Sequence, residues 1–316
     1  MPSAVKSEVK SASKCENIND PIDTHFIEYI AMMFSRLFIK LHIIPNVVTV
    51  LSAVVGVAGG ILLCLDLPVP DIIGALLIIL AAVFDASDGQ VARLTKHYSN
   101  FGRTLDGFAD FLVYFSIYIA ICVRLYEKNI PFTETAWGIW IIPVALTALL
   151  LFGAQARAAD YFKNLHIFMV TRGQGGELSR TAGIKKQIAE SERFSFERLR
   201  LSIYHTYTGL QEKKTPKTQK LLEEIENNGG DMPDALCDAF INKSRKYVMS
   251  TNLLTFNLRT VVLFILLFLP GNAEFLYFPF VIFILEPVRA VIIAKYERLA
   301  SDLTKQKFFT DTESKV

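Results

Sequence analysis

The sequence predicts an all-α, polytopic membrane protein with six transmembrane helices, an N-terminal interfacial amphipathic helix, and a helical cytoplasmic insert between the fourth and fifth spans. Hydrophobic residues make up 52% of the 316 positions, and the mean hydropathy of +0.34 is too high for an ordinary soluble protein. Six apolar stretches are each long enough to cross a bilayer. A single long polar stretch, 162–250, separates the fourth from the fifth.

The elements are predicted in chain order from the composition of each stretch and from the residues that interrupt it. Residues 1–20 are polar and rich in Ser and Lys, which predicts disorder. From Pro21 to His42, charged residues interrupt a broadly apolar pattern, which is typical of a helix lying in the membrane interface; a soluble packing helix is the alternative. The six spans are predicted at 45–65, 72–92, 104–125, 137–157, 253–269 and 275–294.

The insert is predicted to contain amphipathic helices that cover the membrane face. Two charged helical patterns, 190–204 and 218–227, are separated by Thr215-Pro216 and followed by Gly229-Gly230. A glycine-rich segment at 172–177 lacks the Gly-Lys-Ser/Thr ending of a phosphate-binding loop, so we interpret it as a linker.

Basic residues indicate the orientation in the membrane. Lys and Arg flank the N-terminal, second-to-third and C-terminal junctions, for example Lys96 and Arg298. By the positive-inside rule, both termini and the junction after the second span are expected to face the cytoplasm. The net charge of +2 is small and the basic residues are dispersed, so nucleic acid is not an expected partner.

Four aspartates lie where the second and third predicted spans reach the cytoplasm: Asp85, Asp88, Asp106 and Asp110. An ionised Asp within a bilayer costs roughly 2.5–3.5 kcal/mol on insertion scales, so four together require cations. Spacings of three and four residues place each pair on one helix face. An all-oxygen ligand set suits Mg²⁺ or Mn²⁺, and four carboxylates have room for two ions that orient a pyrophosphate. The stretch therefore indicates phosphoryl transfer.

Residues near the aspartates suit a phosphorylated ligand. Gly89 and Gly102 would let a ligand approach the backbone closely, and Arg93 has five donors suited to phosphate. Asn46 and Thr49 share a face at the start of the first span, where a helix cap and a ligand contact are both compatible with the residue types. A lone interfacial histidine, as at position 97, is more often solvated than a ligand.

The pattern Asp-x-x-Asp-Gly-x-x-Ala-Arg, eight residues, Gly-x-x-x-Asp-x-x-x-Asp, which begins at Asp85 and ends at Asp110, resembles the signature of the CDP-alcohol phosphotransferase family without a departure. Pro45 to Thr49 resembles the shorter family stretch at the first membrane helix. The resemblance covers the first half of the chain and implies a six-span fold, a divalent-metal-dependent enzyme and a homodimer.

The resemblance also implies roles for individual residues. Asp85, Asp88 and Asp106 would be metal ligands, and Asp110 would contact a metal and act as general base. The nucleotide-linked donor would be bound by Asn46, Thr49, Gly89, Arg93, Ser99 and Gly102. A serine before a helix is also commonly its N-cap, which is the alternative for Ser99.

One family stretch is altered at the end of the fourth span. Residues 155–160 resemble a Lys-Ala-Arg-Ala-Glu stretch that helps bind the acceptor's phosphate in some members, but Gln155 replaces the Lys. Arg157 is therefore a candidate acceptor-binding residue. Snorkelling of its side chain to the headgroups is the alternative.

These features predict a membrane-embedded transferase that moves a substituted phosphate from a CDP-linked donor to an alcohol and releases CMP. CDP-diacylglycerol is the expected donor, with the lipid held in the membrane. The mirrored reaction, CDP-choline or CDP-ethanolamine with a lipid alcohol, uses the same chemistry. A divalent-cation transporter and a structural scaffold are alternatives from other functional classes.

The predicted domain organisation follows from this interpretation. A disordered segment (1–20) precedes the juxtamembrane helix and first four spans, which carry the catalytic motif (21–161). The polar cytoplasmic insert (162–250), the last two spans (251–299) and a polar C-terminal tail (300–316) complete the chain.

Overall fold

The computed structural model describes residues 27–97, 99–173, 178, 181–191, 195–230, 232–306 and 308. It is 84% helical, and the described residues form no strand, which confirms the predicted all-α class. The predicted disordered segment, 1–20, lies outside the described residues, as does the end of the C-terminal tail.

The chain divides into two compact units. The first contains the described residues up to Gly153 together with Phe256–Ile284, and the second contains Ala154–Thr255 together with the described residues from Leu285 onward. The helices of the first unit are α1 (Glu28–Lys40), α2 (Pro45–Leu63), α3 (Pro68–Thr95), α4 (Asn100–Tyr126), the beginning of α5 (Ile141–Val170) and α10 (Phe256–Phe268).

Proline and glycine determine how α2 and α3 begin and pack. Both helices have Pro at their first positions, where no backbone N–H is needed. Gly59 of α2 and Gly74 of α3 face each other so closely that a Cβ on either would lie 2.8 Å from the carbonyl oxygen of the other. The two backbones therefore touch, which only glycine permits.

Arg124 of α4 forms a buried ion network at the ends of α2–α4 remote from the aspartate motif. Its guanidinium lies 2.7 Å from carboxylate oxygens of both Asp66 and Asp71 and 3.4 Å from Glu274. Burial alone would lower the pKa of Lys128, but its hydrogen bonds to Asp66 and Glu274 outweigh this effect and raise the pKa. Such pairing makes an intramembrane charge tolerable.

The second unit contains the remainder of α5, α6 (Thr181–Glu190), α7 (Phe196–Lys214), α8 (Pro216–Asn227), α9 (Asp234–Ser250) and α11 (Glu286–Lys305). Phe162 of α5 stacks on Tyr296 of α11 with ring centroids 4.1 Å apart. The carboxylate of Glu297 accepts hydrogen bonds of 2.9 Å from the first backbone N–H groups of α8, at Lys217 and Thr218. These contacts attach α8 to α11 and satisfy a helix N-terminus.

Among the residues that the structure describes, five helical segments are long and apolar enough to cross a membrane: Pro45–Leu63, Pro68–Thr95, Thr104–Tyr126, Gly138–Val170 and Ala273–Lys305. A sixth is obtained only if α10 and the segment before it, Asp234–Leu254, count as one bent span. The predicted fifth span at 253–269 is therefore shorter than expected. At 1.5 Å per residue, the 13 residues of α10 measure about 20 Å, less than a hydrocarbon core of about 30 Å.

Helix boundaries also differ from the expectations. The fourth span continues as α5 to Val170, so the predicted domain boundary at 161/162 falls inside a helix. The predicted insert helix at 190–204 is present only from Phe196, where α7 starts, and α7 continues to Lys214; α6 ends at Glu190. The helix predicted at 218–227 is present as α8.

Candidate active site

The four aspartates converge from two helices, α3 and α4. Asp85, Asp88 and Asp106 each direct one carboxylate oxygen to a common point, with these three oxygens within 4.8 Å of one another. Asp85 also contacts Asp106 directly, and Asp110 lies close enough to interact electrostatically with the other three. Such a group of hard oxygen donors can hold a divalent metal ion.

The aspartates differ in accessibility. Asp88 is buried, with 7% of its surface exposed, while Asp85 and Asp106 are half-buried. As a whole residue, Asp110 is the most exposed of the four. A carboxylate that must meet a second substrate needs this accessibility, whereas a purely ligating carboxylate does not.

Thr49 of α2 orients Asp88. Its hydroxyl donates a short hydrogen bond to Asp88 Oδ2, and its side chain is only 3% exposed. The sequence suggested either a helix cap or a contact with the donor for Thr49. The structure gives it in addition a bond to a candidate metal ligand, in the manner of outer-shell residues that orient ligands in metal sites.

A cavity of about 300 Å³ adjoins these carboxylates. It is lined by Pro45, Asn46, Thr49, Asp88, Gly89, Ala92, His97, Ser99, Gly102 and Asp106. Five of the six residues predicted to bind the donor are in this set; Arg93 is the exception. The cavity therefore combines the start of α2, the end of α3 and the start of α4.

Arg93 lies against Gly89, one helical turn earlier. A Cβ at Gly89 would be 3.2 Å from the Nη1 atom of Arg93, so glycine leaves room for the guanidinium to fold back along α3. This places a permanent cation beside the cavity wall.

Gly102 occupies a crowded position between two other lining residues. A Cβ there would lie 2.7 Å from Asn46 Oδ1 and 2.9 Å from Ser99 Oγ. Ser99 is the N-cap of α4, and its hydroxyl accepts a 2.8 Å hydrogen bond from the Gly102 N–H. The capping alternative for Ser99 is thus present, and the residue lines the cavity as well.

His97 is exposed, which is compatible with the predicted solvated side chain, and it also lines the cavity. Lys96 ends α3 in a left-handed conformation (φ 56°), and the His97 N–H bonds back to the Ala92 carbonyl at 3.1 Å. His97 Nδ1 lies 3.1 Å from the Thr95 carbonyl, which leaves Nε2 as the nitrogen available to a ligand. The sequence contained no signal for this turn beyond the proximity of the motif.

The candidate acceptor residue, Arg157, lies in the second unit on the exposed side of α5. Gln155, which replaces the family lysine, is fully buried and donates a 3.3 Å hydrogen bond to Glu286. Glu286 also forms an ion pair with Arg289, three residues later, through both carboxylate oxygens. The buried amide of Gln155 thus binds the carboxylate of Glu286.

Comparison with known proteins gives one family match. Residues 42–171 match the model of the CDP-alcohol phosphatidyltransferase family, and this segment includes all four aspartates and every lining residue of the cavity. No curated protein and no solved structure matches the chain significantly. The family indicates a membrane transferase of phospholipid synthesis that uses a CDP-alcohol and an alcohol acceptor. Residues 42–171, which contain the aspartate motif and the cavity, therefore match a CDP-alcohol phosphatidyltransferase domain.

Proposed function

We propose that this protein transfers a phosphatidyl group from CDP-diacylglycerol to an alcohol and releases CMP, with Mg²⁺ or Mn²⁺ ions at the aspartates and the site facing the cytoplasm. One observation carries the proposal: three carboxylate oxygens within 4.8 Å of one another adjoin a cavity lined by the glycines and polar residues of the same motif. A diphosphate linked to a nucleoside requires both components, the carboxylates to hold metal ions at its phosphates and the cavity to hold the nucleotide.

The four aspartates are assigned two roles, metal ligand and general base. Asp85, Asp88 and Asp106 hold the ions, which when bound neutralise the diphosphate and stabilise charge on the leaving CMP oxygen. Asp110 accepts the proton of the acceptor hydroxyl as that oxygen attacks the β-phosphorus. Its greater accessibility among the four supports this assignment.

The cavity is assigned to the CDP moiety. Gly89 and Gly102 present backbone to the ligand, and the guanidinium of Arg93, folded over Gly89, supplies positive charge for a phosphate. Asn46 contributes a side-chain amide beside Gly102. A volume of about 300 Å³ is at the lower end of ligand pockets, so the lipid part is expected to remain outside it.

A diacylglycerol-linked donor suits the surface beside the cavity. Val47 and Val50 follow the cavity residues Pro45 and Asn46 on α2 and are 51% and 48% exposed. Acyl chains in the bilayer would contact this apolar side while the nucleotide occupies the polar cavity. The same surface would serve a diglyceride acceptor, so the mirrored reaction with CDP-choline or CDP-ethanolamine is the second candidate.

Charge in the second unit supports an anionic acceptor. Burial and the neighbouring guanidinium of Arg289 lower the pKa of Lys214, and Arg157 acts in the same direction, while Glu286 opposes it. Arg289 is already paired with Glu286, so the proposed anion, such as a phosphate on the acceptor, would be bound by Lys214 and Arg157. Lys214 belongs to the insert, so the cation lost at Gln155 has a replacement from outside the family motif.

The test is CMP release by the purified protein in lipid vesicles, with CDP-diacylglycerol or CDP-choline and a panel of alcohols that includes phosphorylated ones. Release is expected with CDP-diacylglycerol, only with a divalent metal, and to be lost in Asp110→Asn. Asp302→Asn, which changes an exposed carboxylate of α11, is the control. Absence of release with every donor, or full release by Asp110→Asn, would refute the proposal. Uptake of Mn²⁺ into vesicles without nucleotide binding would favour a transporter instead.

A further inference from the structure

Helix α1 has an outer face that no residue of the described chain covers. Met33, Leu37 and Leu41 follow one another at four-residue intervals and are 61%, 47% and 58% exposed. Arg36 and Lys40 form a second exposed row beside them, also four residues apart. An apolar row edged by cations is suited to a bilayer interface with anionic headgroups.

This outer face of α1 continues onto the membrane span α2. Ile44, Val47 and Val54 are 54%, 51% and 61% exposed and extend the apolar surface from the end of α1 along α2. Because α2 is long and apolar enough to span the membrane, its exposed side faces lipid. A surface continuous with it favours lipid over a soluble protein as the occupant.

The inner face of α1 is bound to α3 by buried hydrogen bonds. The Ser35 hydroxyl lies 2.9 Å from Gln90 Oε1 and 3.2 Å from the Ser87 carbonyl oxygen. Gln90 Nε2 donates to the Glu28 carbonyl at 3.1 Å, and the Ser87 hydroxyl donates to the Ala31 carbonyl at 3.1 Å. Ser35 and Ser87 are fully buried and Gln90 is 2% exposed, so these bonds do not exchange with water.

These bonds reach α3 within the aspartate motif itself. Ser87 lies between Asp85 and Asp88 in sequence, and Gln90 follows two residues after Asp88. The ring of Phe84, directly before Asp85, packs edge-on against Phe34 of α1 with centroids 5.1 Å apart. A tilt or shift of α1 would therefore move the turn of α3 that carries two candidate metal ligands.

We propose that the outer face of α1 binds anionic lipid headgroups and that the buried Ser35–Gln90 contact transmits this binding to the position of Asp85 and Asp88. The ligand is the phosphate of an anionic phospholipid surface. Bound headgroups hold α1 flat, and α1 holds the motif turn of α3 in its metal-binding geometry. Ser35 and Gln90 are thus positioning residues. The inference rests on the proposed function insofar as a divalent ion binds at these aspartates.

The test measures Mn²⁺ affinity from the electron paramagnetic resonance signal of free Mn²⁺, with the full chain in phosphatidylcholine vesicles with or without phosphatidylglycerol. Wild type is expected to bind more tightly with phosphatidylglycerol. The gain is bounded at about 25-fold, because each of two cations gains about fivefold from an anionic surface. The double variant Arg36→Gln and Lys40→Gln removes the headgroup contacts. Lys185→Gln with Lys186→Gln, exposed cations of α6, is the matched control.

The coupling is tested separately by Ser35→Ala and, from the other helix, Gln90→Met. Each is expected to retain Mn²⁺ binding but to lose most of its dependence on phosphatidylglycerol. The proposal is overturned if wild type shows no lipid dependence, or if the Arg36/Lys40 double variant keeps the dependence, since accumulation of Mn²⁺ at a charged surface would then explain it. Retention of the dependence in both coupling variants would overturn the role of Ser35 and Gln90.

Failure of this inference differs from failure of the proposed function. If CMP release is present but Mn²⁺ affinity ignores lipid composition, only the α1 surface is wrong. If Mn²⁺ binding follows phosphatidylglycerol but no CMP is released with any donor, only the transferase assignment is wrong. A lipid dependence seen in native membranes and absent from purified vesicles would assign the outer face of α1 to a protein partner, against this inference.

Discussion

Replacing Thr49 by Val removes one hydroxyl from the candidate active site and leaves the shape of the side chain nearly unchanged. In the wild type this hydroxyl donates to Asp88, and both residues are buried. In Thr49→Val the carboxylate loses the buried donor that fixes its orientation, and a water from the adjoining cavity would not be held in the same place. The reaction should then require more metal, while the cavity for the nucleotide is preserved.

The magnitude follows from the kind of bond lost. Loss of an outer-shell partner of a metal ligand typically weakens metal affinity by about 10- to 100-fold. This corresponds to about 1.4–2.7 kcal/mol, which agrees with hydrogen bonds to charged groups of about 1.5–3 kcal/mol. The assay is CMP release as a function of Mn²⁺ concentration at saturating donor. Half-saturation should move by this factor, with a smaller change in the KM for the donor.

The matched control is Ser52→Ala, one turn further along α2. The Ser52 hydroxyl donates a 2.9 Å bond to the Ala81 carbonyl of α3, and Ser52 is 4% exposed, so it joins the same two helices without touching a carboxylate. Thr49→Ser, which keeps the hydroxyl, should remain near wild type. The reasoning fails if Thr49→Val titrates like wild type, or if Ser52→Ala shifts the metal requirement equally.

Three further predictions concern the nucleotide cavity, the metal and the remote ion network. Gly102→Ala should raise the KM for the CDP-linked donor roughly tenfold or more. The reason is that the new Cβ would displace the Asn46 side chain by under 1 Å. An unchanged KM would show that Asn46 does not contact the donor. A chelator should abolish CMP release and added Mn²⁺ should restore it, whereas release that persists with chelator would exclude the metal site. Arg124→Met should destabilise the protein by about 3–5 kcal/mol by leaving Asp71 buried without its guanidinium partner, as measured by thermal unfolding in detergent. Lys128→Met, at a more exposed position, should cost less, because Glu274 would keep Arg124, and equal losses would contradict this account.

The aspartate constellation was predictable because its information is local. Spacings of three and four residues place Asp85 with Asp88 and Asp106 with Asp110 on helix faces, and the apolar flanks place both helices in a membrane. The two faces converge because α3 and α4 both pack against α2. The partner of Asp88 was not predictable, because Thr49 is 39 residues away and its residue type is equally common in helix caps.

Helix ends and the insert were less predictable because hydropathy marks the bilayer rather than the helix. Charged residues such as Arg157 and Lys163 end an apolar window, but they do not end α5, which continues to Val170. In the insert, tertiary contacts determine the boundaries: Glu297 of α11, 79 residues away from Thr218, satisfies the N-terminus of α8. Such contacts override propensity and are absent from any local pattern.

The backbones of α2 and α3 touch at Gly59 and Gly74, and the two helices can pivot about this contact. Asp71 of the ion network and Asp88 of the motif lie 17 positions apart on α3, which is about 25 Å along a helix, and the Gly59–Gly74 contact lies between them. At this contact α2 and α3 cannot approach each other further, and they can be separated only by a side chain that fills the gap. A small change in the distance between the two helices at one membrane surface should therefore produce the opposite change at the other surface. A side chain of any size at Gly74 would thus push α2 and α3 apart. This would change the positions of the carboxylates, although the new side chain would touch none of them.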